Sequence, residues 1–405
     1  MKTILMLGTF DSKGHEFDYL YAELKRRGVD ILTMNVGVYA PTSSFDIDID
    51  ASLVAHEGGQ ELEELRCVGD RGQAMKTMCI GARNLAVRLQ KEHKIDGVIS
   101  MGGGGGTSIA STAMQALPIG FPKLCITTLA SGDTREYVGT KDVVLFPSIV
   151  DISGINQFSR MIISRAAGAI CGMAALEPLR DENDRPIVCL SMFGNSTQCI
   201  EQCADLLHRD RYETMVFHAT GGGGRSLEEF IRGGHCAAVL DLTTTEWADE
   251  LACGILSAGS TRLDAISAVE IPAVLAPGCL DMVNFGTFET VPEAYKAAGR
   301  RFYSWNPMVT LMRTNEEENR ALGKVLAEKA NAAKGPTAVI FPRRGLSILD
   351  GAGQPFWDPA ADAALAEAIQ ENLRADIPYV EVDANINDPE FSKAAVALLY
   401  RLWKK

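Results

Sequence analysis

The sequence predicts an α/β protein with two doubly wound, Rossmann-like domains, mostly parallel sheets and a cleft between the domains. Short apolar runs alternate with helical patterns along nearly the whole chain. These runs are rich in Val, Ile and Leu on both faces, as in parallel strands covered by helices on each side. A polar, proline-containing stretch at 177–186 interrupts the pattern, which then restarts. We therefore predict an N-terminal nucleotide-binding domain over 1–180 and a C-terminal domain over 181–405.

The elements follow from this alternation in chain order. In the first half, strands are predicted near 2–8, 30–36, 96–101, 123–128 and 143–146, and helices near 13–27, 71–92, 107–117 and 153–175. In the second half, strands are predicted from 187 and near 213–218, 237–242, 272–276, 337–341 and 378–382, and helices near 196–208, 246–257, 316–333, 359–374 and 388–403. The strand, turn and helix at 187–197 resemble those at 4–13, which suggests a duplication.

Composition excludes several classes of protein. The 405 residues carry a net charge of −13, which argues against general binding to nucleic acid or anionic membranes. No stretch approaches the roughly 18 apolar residues of a membrane-spanning helix, and the N-terminus is typical of a core strand rather than a signal peptide. The ten cysteines are scattered without a CxxC pair, and the histidines lack metal-ligand spacing. We therefore expect buried thiols, a cytoplasmic location and no protein-bound metal site.

Two glycine runs stand where predicted strands end and helical patterns begin. The first is Gly102–Gly106, followed by Thr107, and the second is Gly221–Gly224, preceded by His218. Glycine lets backbone N–H groups converge on an oxyanion, and the following helix N-terminus adds partial positive charge. Each run therefore predicts a bound phosphate or carboxylate, the alternative being a tight turn without a ligand. Neither run matches the Walker A motif or the dinucleotide fingerprint.

Further polar residues follow the predicted strands, where open α/β sheets bind their ligands. Lys13 is predicted to open a helix. A cation there opposes the helix dipole unless it binds an anion, so Lys13 is a candidate for binding a phosphate. The same argument applies with less force to Arg71. Asp133 follows another predicted strand. Its carboxylate is suited to binding a sugar hydroxyl or a metal, and the alternative is a purely structural role in the turn. The residues predicted to bind the cofactor are Thr9, Asp11, Lys13, Gly102, Gly103, Gly104, Gly105, Gly106, Thr107, Ser131 and Asp133.

The second half offers candidates for catalysis and for a second ligand. His218 beside the glycine run can act as an acid or base, although a histidine bonded to the backbone is the common alternative. Cys279 as a nucleophile paired with His218 is a weaker hypothesis than Asp281 and Asn284 as polar site groups. The predicted catalytic residues are His218 and Asp281. The residues predicted to bind the substrate are Thr220, Gly221, Gly222, Gly223, Gly224, Arg225 and Asn284.

These motifs together resemble a known family. Segments 8–14, 102–107, 131–139, 218–224, 241–246, 277–286, 312–314 and 345–350 are similar to the ATP-binding inhibitory domain of the tobamovirus (tomato mosaic) resistance protein and its bacterial relatives. The resemblance covers essentially the whole chain, and it implies two Rossmann-like subdomains, nucleotide binding and a homodimer. A barrel resembling phosphoenolpyruvate-utilising enzymes follows this domain in the plant protein, so the resemblance also suggests a separate barrel enzyme as a partner.

Three functions are consistent with the sequence. The first is a metabolic enzyme that acts on a small organic or sugar acid and binds ATP with Mg²⁺ at the first glycine run. The second is an ATP-independent enzyme that binds a carboxylate substrate for C–C or acyl chemistry, with His218 as the base. The third is a non-catalytic, nucleotide-sensing partner of a separate barrel enzyme.

Overall fold

The computed structural model describes residues 1–177 and 184–404, which divide into two compact units, Met1–Arg180 and Asp181–Lys405. Most of the predicted domain boundary, at 177–186, lies outside the described residues. Each unit contains its own parallel sheet with helices on both faces, so the predicted α/β class with two doubly wound units is confirmed. The cleft between the domains stays a prediction.

The N-terminal unit has a five-stranded parallel sheet in the order β2-β1-β3-β4-β5. Its strands are β1 Thr3–Gly8, β2 Asp30–Asn35, β3 Gly97–Gly102, β4 Lys123–Thr127 and β5 Val144–Pro147. Its helices are α1 Phe10–Arg26, α2 Ala51–Glu57, α3 Leu62–Val68, α4 Arg71–Lys91, α5 Gly104–Gln115, α6 Arg135–Val138 and α7 Gln157–Ala175. Ile4 and Met6 of β1 pack with α1 and α7, whereas Leu5 and Leu7 pack with α4 and α5. Burial on both faces explains why this strand is continuously apolar.

The C-terminal unit has a six-stranded parallel sheet in the order β14-β13-β9-β8-β6-β7. The strands of the unit, including three outside this sheet, are β6 Ile187–Met192, β7 Glu213–His218, β8 Ala238–Thr243, β9 Ala273–Gly278, β10 Met282–Phe285, β11 Phe302–Asn306, β12 Val309–Arg313, β13 Thr337–Pro342 and β14 Tyr379–Val382. Its helices are α8 Thr197–Arg209, α9 Gly222–Arg232, α10 Glu246–Ala252, α11 Glu293–Ala297, α12 Glu316–Ala332, α13 Pro359–Asn372 and α14 Pro389–Trp403. Counted along the chain, its first five sheet strands have the same spatial order as those of the N-terminal unit, which supports a duplication.

A small antiparallel sheet in the order β10-β12-β11 was not predicted. Its strands have only four or five residues, and β10 falls in a stretch that the sequence presents as a polar segment after a strand. All four β10 residues are buried, so tertiary packing rather than a sequence pattern defines this strand. A bulge between Ser304 and Asn306 interrupts the pairing of β11 with β12.

Other differences from the sequence prediction affect local chemistry. The helix α5 begins at Gly104 rather than near residue 107, so most of the first glycine run is helical. Cys189 and Cys236, expected as separate buried thiols, form a disulfide. Within the described ranges, no helix combines the length and the apolar character that crossing a membrane requires.

Candidate functional site

The first candidate site lies at the point of the N-terminal sheet where the strand order reverses. The strands β1 and β3 are neighbours, and the chain continues outward from them in opposite directions across the sheet. Ligands of open α/β sheets bind outside the carboxyl ends of the strands at such a position. A cavity of about 390 Å³ opens there, lined among others by Thr9, Asp11, Tyr39, Arg71 and Met75.

The N-terminus of α5 supplies free backbone donors. Gly102 ends β3, Gly103 precedes the helix without a capping side chain, and Gly104 is the first helical residue. The N–H of Thr107 donates to the carbonyl of Gly103 at 2.9 Å. The N–H groups of Gly104, Gly105 and Gly106 come before this bond and therefore have no partner within the helix. They form the positive end of a twelve-residue helix.

Packing explains only one of the five glycines in this run. A Cβ on Gly102 would lie 2.9 Å from the Gly106 Cα, so that position needs glycine. At Gly104 a Cβ would meet no atom within 4 Å, and at Gly103, Gly105 and Gly106 the nearest atoms would lie at 3.5 Å or more. None of the five has a positive φ angle. Close approach of a ligand to the backbone is the physical reason that remains for these four glycines.

Arg71 brings a positive charge next to the helix start. A Cβ on Gly105 would lie 3.8 Å from Nη2 of Arg71 and 3.7 Å from the sulfur of Met75, so these two side chains lie beside the glycine run. Both also line the cavity, as does Ile109 of α5. Arg71 is the first residue of α4, behind the capping carboxylate of Asp70. Among the described residues, no ion pair involves Arg71. A cation at a helix N-terminus is unfavourable on its own, and an anion in the cavity would offset this cost.

Two of the predicted cofactor residues form part of this cavity. The Asp11 carboxylate accepts a hydrogen bond from the Tyr39 N–H at 3.0 Å. A Cβ on Gly37 would come within 2.4 Å of that carboxylate, so glycine is required there. The Thr9 hydroxyl accepts a hydrogen bond from the Ser12 hydroxyl at 3.1 Å. Tyr39 and Gly37 were missed because no motif marks the residues that follow β2.

The structure places other predicted cofactor residues away from this cavity. The ammonium group of Lys13 donates to the Ile152 carbonyl. The Thr107 hydroxyl is fully buried and bonds the Thr127 hydroxyl at 2.7 Å. Ser131 lines a separate cavity of about 520 Å³ at the ends of β4 and β5. Asp133 is exposed, and its hydrogen bond to Arg135 lowers the pKa of its carboxyl to about 2.

The second glycine run holds a carboxylate that belongs to the protein. The N–H groups of Gly221 and Gly224 donate to Oε1 of Glu246 at 2.7 and 3.1 Å. Gly221 has a φ of 79°, and a Cβ on Gly223 would lie 1.8 Å from the His218 carbonyl oxygen. Internal packing therefore accounts for these three glycines. Two of the donors that the sequence offers to an external anion are occupied by Glu246, and a third, the Gly222 N–H, donates to the Thr220 carbonyl.

Glu246 belongs to a buried ionic cluster that sequence reasoning missed. Arg262, 1% exposed, contacts Glu246 at 2.6 Å and both oxygens of Asp241 at 2.6 and 2.7 Å. Its Nη1 also lies 3.3 Å from Oε1 of Glu228. Burial raises the pKa of the Glu228 carboxyl, and Arg262 opposes that rise. Nothing local marks Arg262, because its partners lie between 16 and 34 residues away.

The remaining predicted residues of the C-terminal unit fall into different places. His218 is exposed at the end of β7, and its carbonyl accepts a bond from the Thr220 N–H. Arg225 donates to the Ser257 carbonyl at 3.2 Å. Asn284, fully buried in β10, lines the same small cavity as His218. Cys279 is also fully buried, and burial raises the pKa of its thiol, which disfavours a nucleophilic role.

Asp281 lies in a second buried ionic cluster. Its Oδ2 accepts a hydrogen bond from the Ser347 hydroxyl at 2.8 Å, whereas no described group hydrogen-bonds its Oδ1. Arg313 donates to Asp350 at 3.2 Å and to Asp362 at 2.6 Å, so one guanidinium serves several carboxylates. Burial raises the pKa of Asp281 to about 6 and that of Asp350 to about 10. Burial therefore favours the protonated form of both carboxyls.

Replacing Asp281 with Asn tests this interpretation. Because the pKa in the folded state lies above the ordinary value of 3.8 for an aspartate, Asp281 stabilises the fold at low pH. That contribution is lost as the pH rises through about 6. We expect Asp281→Asn to gain stability relative to the parent between pH 4.5 and 7.5, by about 2 kcal/mol. Urea unfolding at both pH values measures the difference, and an Asn variant that loses stability as the pH rises would contradict the assignment.

The fold and these contacts define an α/β protein of two doubly wound units, with a glycine-rich helix N-terminus at the switch point of the first. The chain belongs to the uncharacterised protein family UPF0261, whose N-terminal domain matches residues 2–178 and whose C-terminal domain matches residues 185–403.

Curated relatives span bacteria and a plant. A UPF0261 protein of Clostridium tetani is 45% identical over 405 residues and covers 100% of both chains. The ToMV resistance protein Tm-1(GCR237) of Solanum lycopersicum is 38% identical, and the match covers 97% of this chain and 55% of the tomato protein. These relatives confirm the resemblance that the motifs indicate.

Solved structures align only weakly. MurG of Acinetobacter baumannii covers 99% of this chain at 10% identity and a TM-score of 0.22. The UDP-GlcNAc 2-epimerase of Methanocaldococcus jannaschii covers 100% at 9% identity, also with a TM-score of 0.22. Similarity at this level carries no information about the ligand of this chain.

Proposed function

We propose that the N-terminal unit binds ATP, with its phosphates on the N-terminus of α5. The observation that carries the proposal is the set of four glycines, Gly103–Gly106, that neither packing nor backbone conformation requires. Three of them begin a helix whose first N–H groups point out of the helix end. A polyphosphate is the ligand that best uses several converging N–H groups and a helix dipole together.

Charge around the cavity supports an anionic ligand. The Arg71 guanidinium borders both the cavity and the glycine run and has no carboxylate partner among the described residues. A guanidinium can bind phosphate oxygens through two parallel N–H bonds. Asp11 lies in the cavity wall at the end of β1, where a carboxylate could accept bonds from ribose hydroxyls or hold Mg²⁺ through water. The proposed binding residues are therefore Gly103–Gly106, Arg71, Thr9 and Asp11.

This proposal concerns binding rather than turnover. The residues that the sequence offers for acid–base chemistry, His218 and Asp281, lie in the C-terminal unit, where His218 lines a cavity and Asp281 is fully buried. A cytoplasmic homodimer that converts a small organic or sugar acid, with or without a separate barrel enzyme, stays a hypothesis. ADP release in the presence of candidate acids would separate such an enzyme from a nucleotide sensor.

Calorimetric titration of the full chain with ATP and Mg²⁺ tests the proposal. We expect Arg71→Ala to weaken ATP binding by about 1.5–3 kcal/mol, the range for hydrogen bonds to charged groups. Lys13→Ala is the matched control, because its ammonium donates to Ile152 rather than into the cavity, and it should change the affinity far less. If Lys13→Ala were the more damaging variant, or if the parent bound no ATP, the proposed site would be wrong.

A further inference from the structure

The C-terminal unit contains a second, smaller cavity with a different chemistry. It measures about 120 Å³ and lies at the carboxyl ends of β6 and β7, bordered also by β10, β11 and β12 of the small antiparallel sheet. Asn195, His218, Asn284, Phe193 and Trp305 line it. The sequence indicates His218 and Asn284 as site residues and Asn195 as part of a polar segment after a strand, whereas Trp305 belongs to the antiparallel sheet that was not predicted.

Two buried amide side chains offer hydrogen-bond acceptors. Asn195 and Asn284 are 1% and 0% exposed. Their amide nitrogens are used, since Asn284 Nδ2 donates to Asp249 at 2.7 Å and Asn195 Nδ2 contacts the Met282 sulfur at 3.1 Å. Their Oδ1 atoms accept no hydrogen bond from any described group. Because buried acceptors are nearly always satisfied in native proteins, two such oxygens on residues lining one cavity indicate a ligand that donates hydrogen bonds.

Aromatic rings form the other part of the wall. The rings of Phe193 and His218 lie 5.7 Å apart, centroid to centroid. Trp305 stands at the bulge of β11, and its Cζ2 would lie 3.9 Å from a Cβ on Gly194. A bulge redirects a side chain, and bulges are frequent beside functional sites. The indole is 42% exposed, so it is free to stack on a flat ligand.

The charges around this cavity do not favour the anionic second ligand that the sequence suggests for this unit. No lysine or arginine lines this cavity, and the Asp249 carboxylate lies directly behind Asn284. A carboxylate or phosphate would find no lysine or arginine here and only His218 as a possible cation, whereas an N–H donor would meet acceptor oxygens. We propose that this cavity binds a planar nitrogen heterocycle carrying an amino group, held by the two Asn oxygens and stacked on Trp305.

Differential scanning fluorimetry and calorimetry of the full chain, with adenine and cytosine as probes and benzoate as a flat anionic control, test this proposal. Binding of a base at the ATP site of the other unit would not depend on Trp305, so the cavity variants below separate the two sites. We expect the aminated bases to bind and benzoate not to bind. Trp305→Ala should weaken binding about tenfold, because the base would lose the aromatic ring on which it stacks.

A second variant separates loss of binding from loss of folding. Asn195→Leu keeps the number and branching of the side-chain heavy atoms, removes an unpaired acceptor and should fold, yet it should weaken base binding by a similar factor. Met308→Ala, in the exposed turn between β11 and β12 and away from the cavity wall, is the matched control and should bind as the parent does. The proposal is overturned if benzoate binds as well as the bases, if neither base binds at millimolar concentration, or if both cavity variants bind normally.

Discussion

Gly104→Val should abolish ATP binding while leaving the fold intact. A Cβ at this position meets no protein atom within 4 Å, so the isopropyl group fits the protein and projects into the space that a phosphate would occupy. Valine also has a higher helix propensity than glycine, which favours folding of α5. Loss of the converging N–H groups as a phosphate site should raise the ATP dissociation constant by at least about a hundredfold, or about 2.7 kcal/mol. Calorimetry of ATP binding and circular dichroism of the variant measure the two expectations together.

The chain provides a matched control in its second glycine run. Gly222 is the first residue of α9, as Gly104 is of α5, and a Cβ there also meets nothing within 4 Å. The neighbouring N–H groups of Gly221 and Gly224 already bind Glu246, so we expect Gly222→Val to leave ATP affinity unchanged. Equal loss in both variants would mean that valine disturbs helix starts in general. Unchanged ATP affinity in the Gly104→Val variant would mean that the nucleotide does not bind at the N-terminus of α5.

The contrast between the two runs shows how far the sequence could predict the site. Both runs are correctly placed at a strand end and a helix start, because local pattern decides both features. What the sequence could not show is which run is satisfied internally. Glu246 reaches Gly221 and Gly224 from a different strand end, and this pairing depends on the parallel neighbours β6, β7 and β8 in the sheet.

The same distinction applies to charged residues. The sequence places both Lys13 and Arg71 at helix starts, and it cannot tell which of their long side chains points toward the glycine run. Arg71 is indeed the first residue of α4, whereas α1 begins at Phe10 and Lys13 lies at a kink within it. The structure directs Lys13 to the Ile152 carbonyl and leaves Arg71 beside Gly105. The α/β class was predictable because it depends on periodicity over many residues, whereas a site depends on single side-chain directions that only tertiary packing fixes.

Arg262→Met should destabilise the C-terminal unit strongly. Arg262 is the shared partner of three buried carboxylates, and methionine removes its charge while retaining much of its length. Breaking a buried ion pair by removing one partner typically costs about 3–5 kcal/mol, because the remaining charge stays buried without compensation. For a unit of this size, that cost should lower the melting temperature by roughly 6–20 °C in differential scanning calorimetry.

The pH dependence of this loss identifies its cause. Without Arg262 the buried carboxylates lose their counter-charge, and the pKa of Glu228, which burial already raises, should rise further. The variant should therefore be penalised little at pH 4 and increasingly as the pH rises. Arg344→Met is the matched control, since Arg344 pairs with Asp383 at the surface, where such pairs contribute only about 0–1 kcal/mol. An Arg262→Met variant that melts like the Arg344→Met variant, or that is equally destabilised at pH 4 and pH 8, would show that the cluster does not hold Glu246 on the second glycine run by charge.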